Sequence, residues 1–268
     1  MKRKVRILIL CKTYPSPSAK YAETSCVAGM DESGNLIRLY PVPFRLVTGD
    51  QQFAKWQWIE AFIERSPADR RPESHKIGIG SICPGKTLPA GDWHERRIWL
   101  DKLKVYDNFD VLETARIESN VTLGLIKPSR IAALRIQKSA SEKWTPDEIE
   151  KLESMQRQPS LFEDQERASI RRLENHYVYE CLIDGEVKSY THKIVDWEAG
   201  QLYRNVYRKH GPEGWEAAFR HKLETELPTK DLMLLMGTIH RFAGQWLIVS
   251  LIYPPKRQTE DTHQMRLL

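Results

Sequence analysis

A polar loop near the start of the chain carries the first residues that could do chemistry. Residues 10–29 read LCKTYPSPSAKYAETSCVAG, which places hydroxyl groups, lysines, tyrosines and one glutamate between two apolar stretches. Hydroxyl and ammonium groups at this density can hold phosphate groups or an oxygen-rich substrate. Serine and proline also serve ordinary turn formation, so a plain surface loop stays open as the alternative. The candidate nucleic-acid-binding residues of this loop are Lys12, Tyr14, Ser16, Lys20 and Tyr21.

Two further segments supply charged and aromatic side chains. Arg38 and Tyr40 follow a predicted turn, and Arg71 and Glu73 lie in the polar segment 66–74, SPADRRPES. If the intervening strands are neighbours, these loops form one basic cleft that contains a few carboxylates. Arg71 and Glu73 could equally form an exposed ion pair, which contributes little to stability. We predict that all four residues belong to a nucleic-acid-binding surface.

Four residues are candidate catalytic groups. Cys26 can act as a nucleophile toward a nitrile or carbonyl carbon, with Glu23 as a nearby acid. The alternative is that Cys26 packs in the core as a small apolar side chain. His240 lies in a glycine-containing loop before the last apolar run and can serve as a general acid–base, with Asp231 as the carboxylate that orients it. A surface histidine without a catalytic role is the alternative for His240.

Several familiar motifs do not occur. The chain contains no GxGxxG, GxxxxGK[ST], HExxH or GxSxG, and its histidines show no ligand spacing with cysteines. We therefore expect neither a metal nor a cofactor. Asp196 and Glu198, which open a predicted helix, are interpreted as helix-capping residues.

The composition and charge of the chain limit the classes of protein to which it can belong. The 268 residues are 41% hydrophobic and 29% charged, with a net charge of +5, so a folded protein with a modest preference for polyanionic partners is expected. No apolar run approaches the roughly 18 residues of a membrane span. The four cysteines form no CxxC pair, which favours the reducing cytoplasm.

The elements that must position these residues follow from hydrophobic periodicity. Residues 5–10 predict a buried strand, and 24–30 with 36–40 predict a β-hairpin around DESGN. Residues 108–118 predict a helix, residues 176–190 a second hairpin, and 195–208 with 213–226 two helices separated by His210-Gly211-Pro212. The class is α+β, with a mixed, mainly antiparallel sheet and helices, as one large domain or two closely packed lobes.

The predicted division of the chain has three parts. An N-terminal β-rich lobe covers residues 1–143, a helix and linker cover 144–167, and a C-terminal α+β lobe covers 168–268. Thr145, Pro146 and Glu148 form a helix-start signal in the middle part.

Six segments together resemble bacterial proteins of DNA-modification and restriction islands. They are KTYPSPSAKYAETSCVAG, RLYPVPFR, DRRPES, DWE, KDL and GTIHRFAGQWLIVSLIYPP, and they span nearly the whole chain. The pattern is similar to the component of the deazaguanine DNA-modification system that hydrolyses a cyano-deazaguanine base to its amide. The resemblance implies a hydrolase that acts on a nitrile in DNA, alongside other proteins of a modification or restriction system. The alternative is a non-catalytic module that binds DNA or a modified base in a defence system.

Overall fold

The structure is a computed structural model that describes residues 2–18, 22–44, 47, 49–138 and 173–257. The predicted helix and linker at 144–167 lie outside these residues. The fold is α+β, with mixed, mainly antiparallel sheets in two lobes, as predicted. In the described residues, no helix has both the length and the apolar character needed to cross a bilayer.

The first lobe is built almost entirely of strands. Its elements are β1 (Arg3–Lys12), β2 (Ser16–Ser18), β3 (Ala22–Met30), β4 (Leu36–Val42), β5 (Gln57–Arg65), β6 (Ser74–Ile77), β7 (Cys83–Thr87) and α1 (Trp93–Leu100).

Five of these strands close into a barrel because β1 pairs with both β3 and β5. The order runs β1-β3-β4-β6-β5 and back to β1; β4 and β6 are parallel, and the other neighbours are antiparallel. This is the strand order of the five-stranded Greek-key barrel known as the OB fold. Alternate residues such as Ile7, Val27, Leu39 and Ile59 fill the interior.

The second lobe is a seven-stranded sheet with two helices. Its elements are β8 (Val105–Tyr106), α2 (Phe109–Ser119), β9 (Leu123–Ile126), β10 (Arg130–Lys138), β11 (Leu173–Ile183), β12 (Glu186–Ile194), α3 (Trp197–Arg220), β13 (Met233–Thr238) and β14 (Trp246–Ile252). The sheet order is β10-β11-β12-β14-β13-β9-β8. Since β8, β9 and β10 pair within this sheet, the prediction that the first lobe reaches residue 143 is corrected: the sheets divide before residue 105.

Local sequence signals explain several element ends. Asn108 caps α2 by accepting a hydrogen bond from the Val111 backbone N at 3.0 Å. Asp184 and Gly185 both have positive φ (51° and 85°), which allows the tight turn between β11 and β12. Gly211, at φ 71°, interrupts α3 immediately before Pro212, so the two predicted helices meet at this break.

The two lobes share an apolar core. Leu10 of β1 and Met30 of β3 point out of the barrel and pack in one cluster with Leu235 and Val249 of the second sheet. The Ser250 hydroxyl donates to the Leu10 carbonyl at 3.0 Å within this contact. The second sheet therefore covers much of the outer face of β1 and β3.

Candidate nucleic-acid interface

Cys26 lies on the outer face of β3, at the border of the area that the second lobe covers. The neighbouring Val27 points into the barrel, while the Cys26 side chain is half-buried. Thr13 holds this position: its backbone N donates to the Cys26 carbonyl (2.8 Å), and its hydroxyl accepts from the Cys26 backbone N (2.9 Å). Burial raises the pKa of the thiol, against the opposing charges of Arg38 and Arg71. The thiol is therefore protonated at neutral pH, which disfavours Cys26 as a nucleophile.

Arg38 and Glu73 fasten the two lobes. The Arg38 side chain is only 1% exposed. Its guanidinium donates to the carbonyl (2.7 Å) and hydroxyl (2.9 Å) of Thr122, in the second lobe. The Glu73 carboxylate accepts from the Thr122 backbone N (2.9 Å) and hydroxyl (2.6 Å). The prediction that Arg38 contacts nucleic acid is wrong, because the second lobe takes up its donors, and Glu73 is likewise occupied by Thr122.

Arg71 joins two neighbouring loops. Its guanidinium donates to the Asp69 carboxylate (2.6 Å from Nη2 to Oδ2) and to the Thr238 carbonyl (2.5 Å). Burial acts to raise the pKa of Asp69, but the hydrogen bonds from Arg71 and Ser74 prevail and hold it far below its usual range. The loop between β5 and β6 is thus fixed against the end of β13.

His240 strengthens the same junction. Its Nε2 lies 2.9 Å from the Ala68 carbonyl and 3.9 Å from the nearer Asp69 carboxylate oxygen. The turn that carries His240 is itself closed, because the Phe242 N donates to the Ile239 carbonyl at 3.3 Å. Asp69, which the sequence reasoning missed, is therefore the carboxylate beside His240.

Asp231 lies at the opposite end of β13, on the order of 20 Å of strand away from His240. Its carboxylate pairs with Arg97 (3.1 Å) and Lys127 (2.5 Å). The prediction that Asp231 orients His240 is wrong, since the two residues flank a strand rather than share a loop.

The fixed loops expose aromatic and cationic side chains. Tyr40 is 47% exposed and follows Arg38 by two positions on the same face of β4, and Phe242 is 58% exposed. Arg70, His240 and Arg241 are exposed on the two joined loops together with Phe242, whereas Tyr40 lies on strand β4, which pairs with β6 next to the first of these loops. We call these five residues, Tyr40, Arg70, His240, Arg241 and Phe242, the loop patch.

Lys12 and Tyr14 lie elsewhere, near the start of α3. The Lys12 ammonium donates to the Phe53 carbonyl (3.1 Å) and lies 4.9 Å from the centre of the Phe44 ring, and burial lowers its pKa. The Tyr14 ring packs at 5.8 Å from that of Trp197. Lys12 and Tyr14, which were predicted to bind nucleic acid, are thus part of an aromatic cluster rather than of the loop patch.

Beside this cluster, Lys55 is a buried residue that sequence reasoning missed. Its ammonium donates to the Glu198 carboxylate (3.0 Å) and to the Leu251 carbonyl (2.9 Å), and it lies 3.8 Å from Asp196. Burial acts to lower the pKa of Lys55, but Asp196 and Glu198 raise it overall. Asp196 does cap α3, since it accepts from the Glu198 N at 2.8 Å, and it also accepts from the Leu251 N at 2.8 Å. We call Arg38, Lys55, Glu73, Thr122 and Asp196 the lobe seam.

The remaining predicted residues follow β1 in the amino-acid sequence. Ser16 and Glu23 belong to the short ladder of β2 and β3, in which Ser16 pairs with Thr24 and Pro17 with Glu23. Lys20 and Tyr21 lie outside the described residues. Within the described ranges, no group of three or more histidines, cysteines and acidic residues could hold a metal ion.

Two domain families of unknown function divide the chain at the same place as the sheets. The family described as domain of unknown function DUF8758 matches residues 3–102, and the one described as DUF8757 matches residues 108–268. Because the second match covers more than half of the residues, the chain belongs to the DUF8757 family.

Among solved structures, the chain is similar to one described as a replication protein A heterotrimer bound to ssDNA. The TM-score is 0.25 at 10% identity, over 94% of this chain and 66% of that one. The match spans less than two thirds of the other chain. No curated protein matches the chain.

Proposed function

We propose that this protein binds DNA, and that the loop patch contacts the bases and phosphates of an unpaired strand. The observation that supports this best is the exposure of the Phe242 ring and three basic side chains on loops that are already fixed, with the exposed Tyr40 ring on the neighbouring strand β4. Base–aromatic stacking contributes about 1–3 kcal/mol per base, and arginine side chains add contacts to phosphate. The bonds from Arg71 to Thr238 and from His240 to Ala68 lower the ordering cost of binding, because the loops are held before a ligand arrives.

The topology of the barrel also supports binding of DNA at the loop patch. OB-type barrels bind oligonucleotides on the outer face of the second and third strands and on the loops that follow the first and fourth strands. In this chain those strands are β3 and β4, and the loop after the fourth barrel strand, β5, carries Arg70 and Arg71. The second sheet covers part of the outer face, so the free part is the end that holds Cys26 and Tyr40. A fold alone does not assign a function, which is why the exposed residues carry the proposal.

A finer proposal, which the family resemblance suggests, is that the bound DNA base carries a nitrile that is hydrolysed to an amide. Water would add across the carbon–nitrogen triple bond, so one group must accept a proton from water and one must supply a proton to nitrogen. His240, the imidazole of the loop patch, is the candidate for this proton transfer, and Glu23 on β3 is the alternative. Reaching a base in duplex DNA would require its extrusion from the stack.

DNA binding is tested by fluorescence anisotropy with a labelled single-stranded oligonucleotide. We expect Tyr40→Ala with Phe242→Ala to weaken binding by about tenfold or more. Phe62→Ala is the matched control, because Phe62 is an exposed ring on the barrel outside the loop patch. Equal affinity of the double variant and the control would contradict the assignment of the loop patch, and the absence of binding by the unaltered protein would contradict DNA binding itself.

Hydrolysis is tested by mass spectrometry of nucleosides from DNA that contains cyano-deazaguanine. The proposal predicts a gain of one water per modified base, abolished by His240→Ala and retained by His94→Ala, a change of an exposed histidine on α1. Unchanged mass under conditions where the DNA is bound would leave the non-catalytic binding module as the function.

A further inference from the structure

A large basic cleft lies between the lobes, at the end of β13 opposite the loop patch. Its volume is about 890 Å³, and its walls are α1, the turn between β9 and β10, the residues that lead into β13 and the segment after β14. Six basic side chains line it: Arg97, Lys127, Arg130, Lys230, Lys256 and Arg257. We call this space the basic cleft.

The cations of the basic cleft outnumber the carboxylates available to them. Asp231 pairs with both Arg97 and Lys127, Asp101 pairs with Arg257 at 2.5 Å, and Glu180 pairs with Arg130 at 2.8 Å. Lys230 and Lys256 are exposed and make no ion pair with any residue of the described chain. An anionic ligand would therefore meet cations that the protein has not already neutralised.

Apolar side chains complete the walls of the basic cleft. Leu103, Ile131 and Met233 line it alongside the basic residues. Its volume lies in the range of sites that enclose a small ligand, roughly 300–1,000 Å³. This combination suits a short segment of an unpaired strand, whose phosphates meet the cations while a sugar or base covers the apolar wall.

We propose that the basic cleft is a second DNA-binding site, which takes one segment of a single strand while another segment of the same strand contacts the loop patch. This inference rests on the proposed function, since it assumes that the ligand is DNA. Asp231 has a defined role in it: its carboxylate holds Arg97 and Lys127 in place, and a DNA phosphate competes with it for both cations. Asp231 is therefore a positioning residue that restrains anion binding, rather than a catalytic one.

The experiment measures the affinity for a labelled 20-nucleotide single strand over a range of salt concentrations, with the full chain. We expect Lys230→Glu with Lys256→Glu to weaken binding about tenfold or more at ~0.15 M salt and to lower the slope of log K against log salt by about 2. The matched control is Lys2→Glu with Lys209→Glu, which makes the same change in net charge at exposed lysines outside the basic cleft. Asp231→Asn should tighten binding about fivefold, because it releases two cations.

Each contrary result has a distinct meaning. If the two double variants bind alike, or if Asp231→Asn weakens binding although its thermal unfolding is unchanged, the basic cleft is not a DNA site, and the proposed function stands on the loop patch alone. If ATP displaces the strand from the unaltered protein at concentrations far below those of a competing oligonucleotide, the cleft is a nucleotide pocket and the strand proposal is overturned. If the unaltered protein binds no DNA, both proposals fail.

Discussion

The lobe seam and the basic cleft are both rich in charged residues, but the cations are buried and paired in the lobe seam and partly exposed and unpaired in the basic cleft. In the lobe seam, Arg38 and Lys55 are buried, and their donors are taken up by acceptors of the other lobe. In the basic cleft, Lys230 and Lys256 remain exposed and without an ion pair in the described chain. A buried charge needs hydrogen-bond or ion-pair partners inside the protein, because water cannot solvate it. An exposed charge is solvated by water and can stay unpaired until a ligand binds. Position relative to the second lobe, and not residue type, separates the structural cations from those available for binding.

The largest effect is expected when Lys55, one of the two buried cations of the lobe seam, is removed. Lys55→Met should lower the free energy of unfolding by about 3–5 kcal/mol, because Asp196 remains buried beside a group that no longer compensates its charge. Urea denaturation measures the change. Lys209→Met, at an exposed position, should stay within about 0.5 kcal/mol. Adding Asp196→Asn to Lys55→Met should restore part of the loss, and full additivity of the two changes would contradict the coupling.

The second test removes Glu73, one of the two carboxylates of the lobe seam. Glu73→Ala should cost about 2–3 kcal/mol, because the Thr122 backbone N and hydroxyl lose their acceptor at a partly buried position. Thermal unfolding measures it against Glu64→Ala, which changes an exposed glutamate at the end of β5. Similar stability of both variants would show that Glu73 does not hold the lobes together.

A third test extends the comparison to a half-buried group without a counter-charge. His192 lies against the Phe109 ring (4.5 Å between ring centres), its Nδ1 lies 3.1 Å from the Tyr179 hydroxyl, and burial lowers its pKa to about 4. The neutral form is favoured in the fold, so its contribution is complete above the unfolded pKa of about 6.5 and is lost as pH falls toward 4. Between pH 7 and 4 we expect protonation of His192 to lower the free energy of unfolding by about 2 kcal/mol. His192→Gln should remove this part of the pH dependence. Urea midpoints between pH 7 and 4 provide the measurement, and His94→Gln, at an exposed position, should keep the full dependence.

The smallest effect on stability is expected in the basic cleft. Lys230→Ala should change the free energy of unfolding by less than about 0.5 kcal/mol, because the side chain is exposed and unpaired. The same change should lower the salt slope of DNA binding by about 1. A large loss of stability would show that Lys230 has a structural role, like the residues of the lobe seam, rather than a role in a binding surface.

Local signals predicted local structure well. The hairpin of β3 and β4, the helix that starts after Asn108 and the break at Gly211 all follow from turn and capping residues close in sequence. The pairing of β1 with β5 and the place of β8 to β10 in the second sheet were not predicted, because such pairings join residues far apart in the chain.

The residues of the candidate site also fall into those that the sequence predicted and those that it did not. The sequence pointed to Arg71 and His240, which the structure joins through Asp69, and to Cys26 beside them. It misplaced Arg38 and overlooked Lys55, because burial of both depends on the second lobe. A lysine between Ala54 and Trp56 carries no local sign that Glu198 and Leu251 will enclose it.

The contact between Leu10 and Ser250 has a consequence for how the chain is made. These residues are 240 positions apart, and β14 lies inside the second sheet, between β12 and β13. At roughly 5–20 residues per second, a ribosome needs about 10–50 s to reach Ser250 after Leu10. Throughout that interval the apolar outer face of β1 lacks its final cover, and transiently exposed apolar surface of this kind is prone to aggregation.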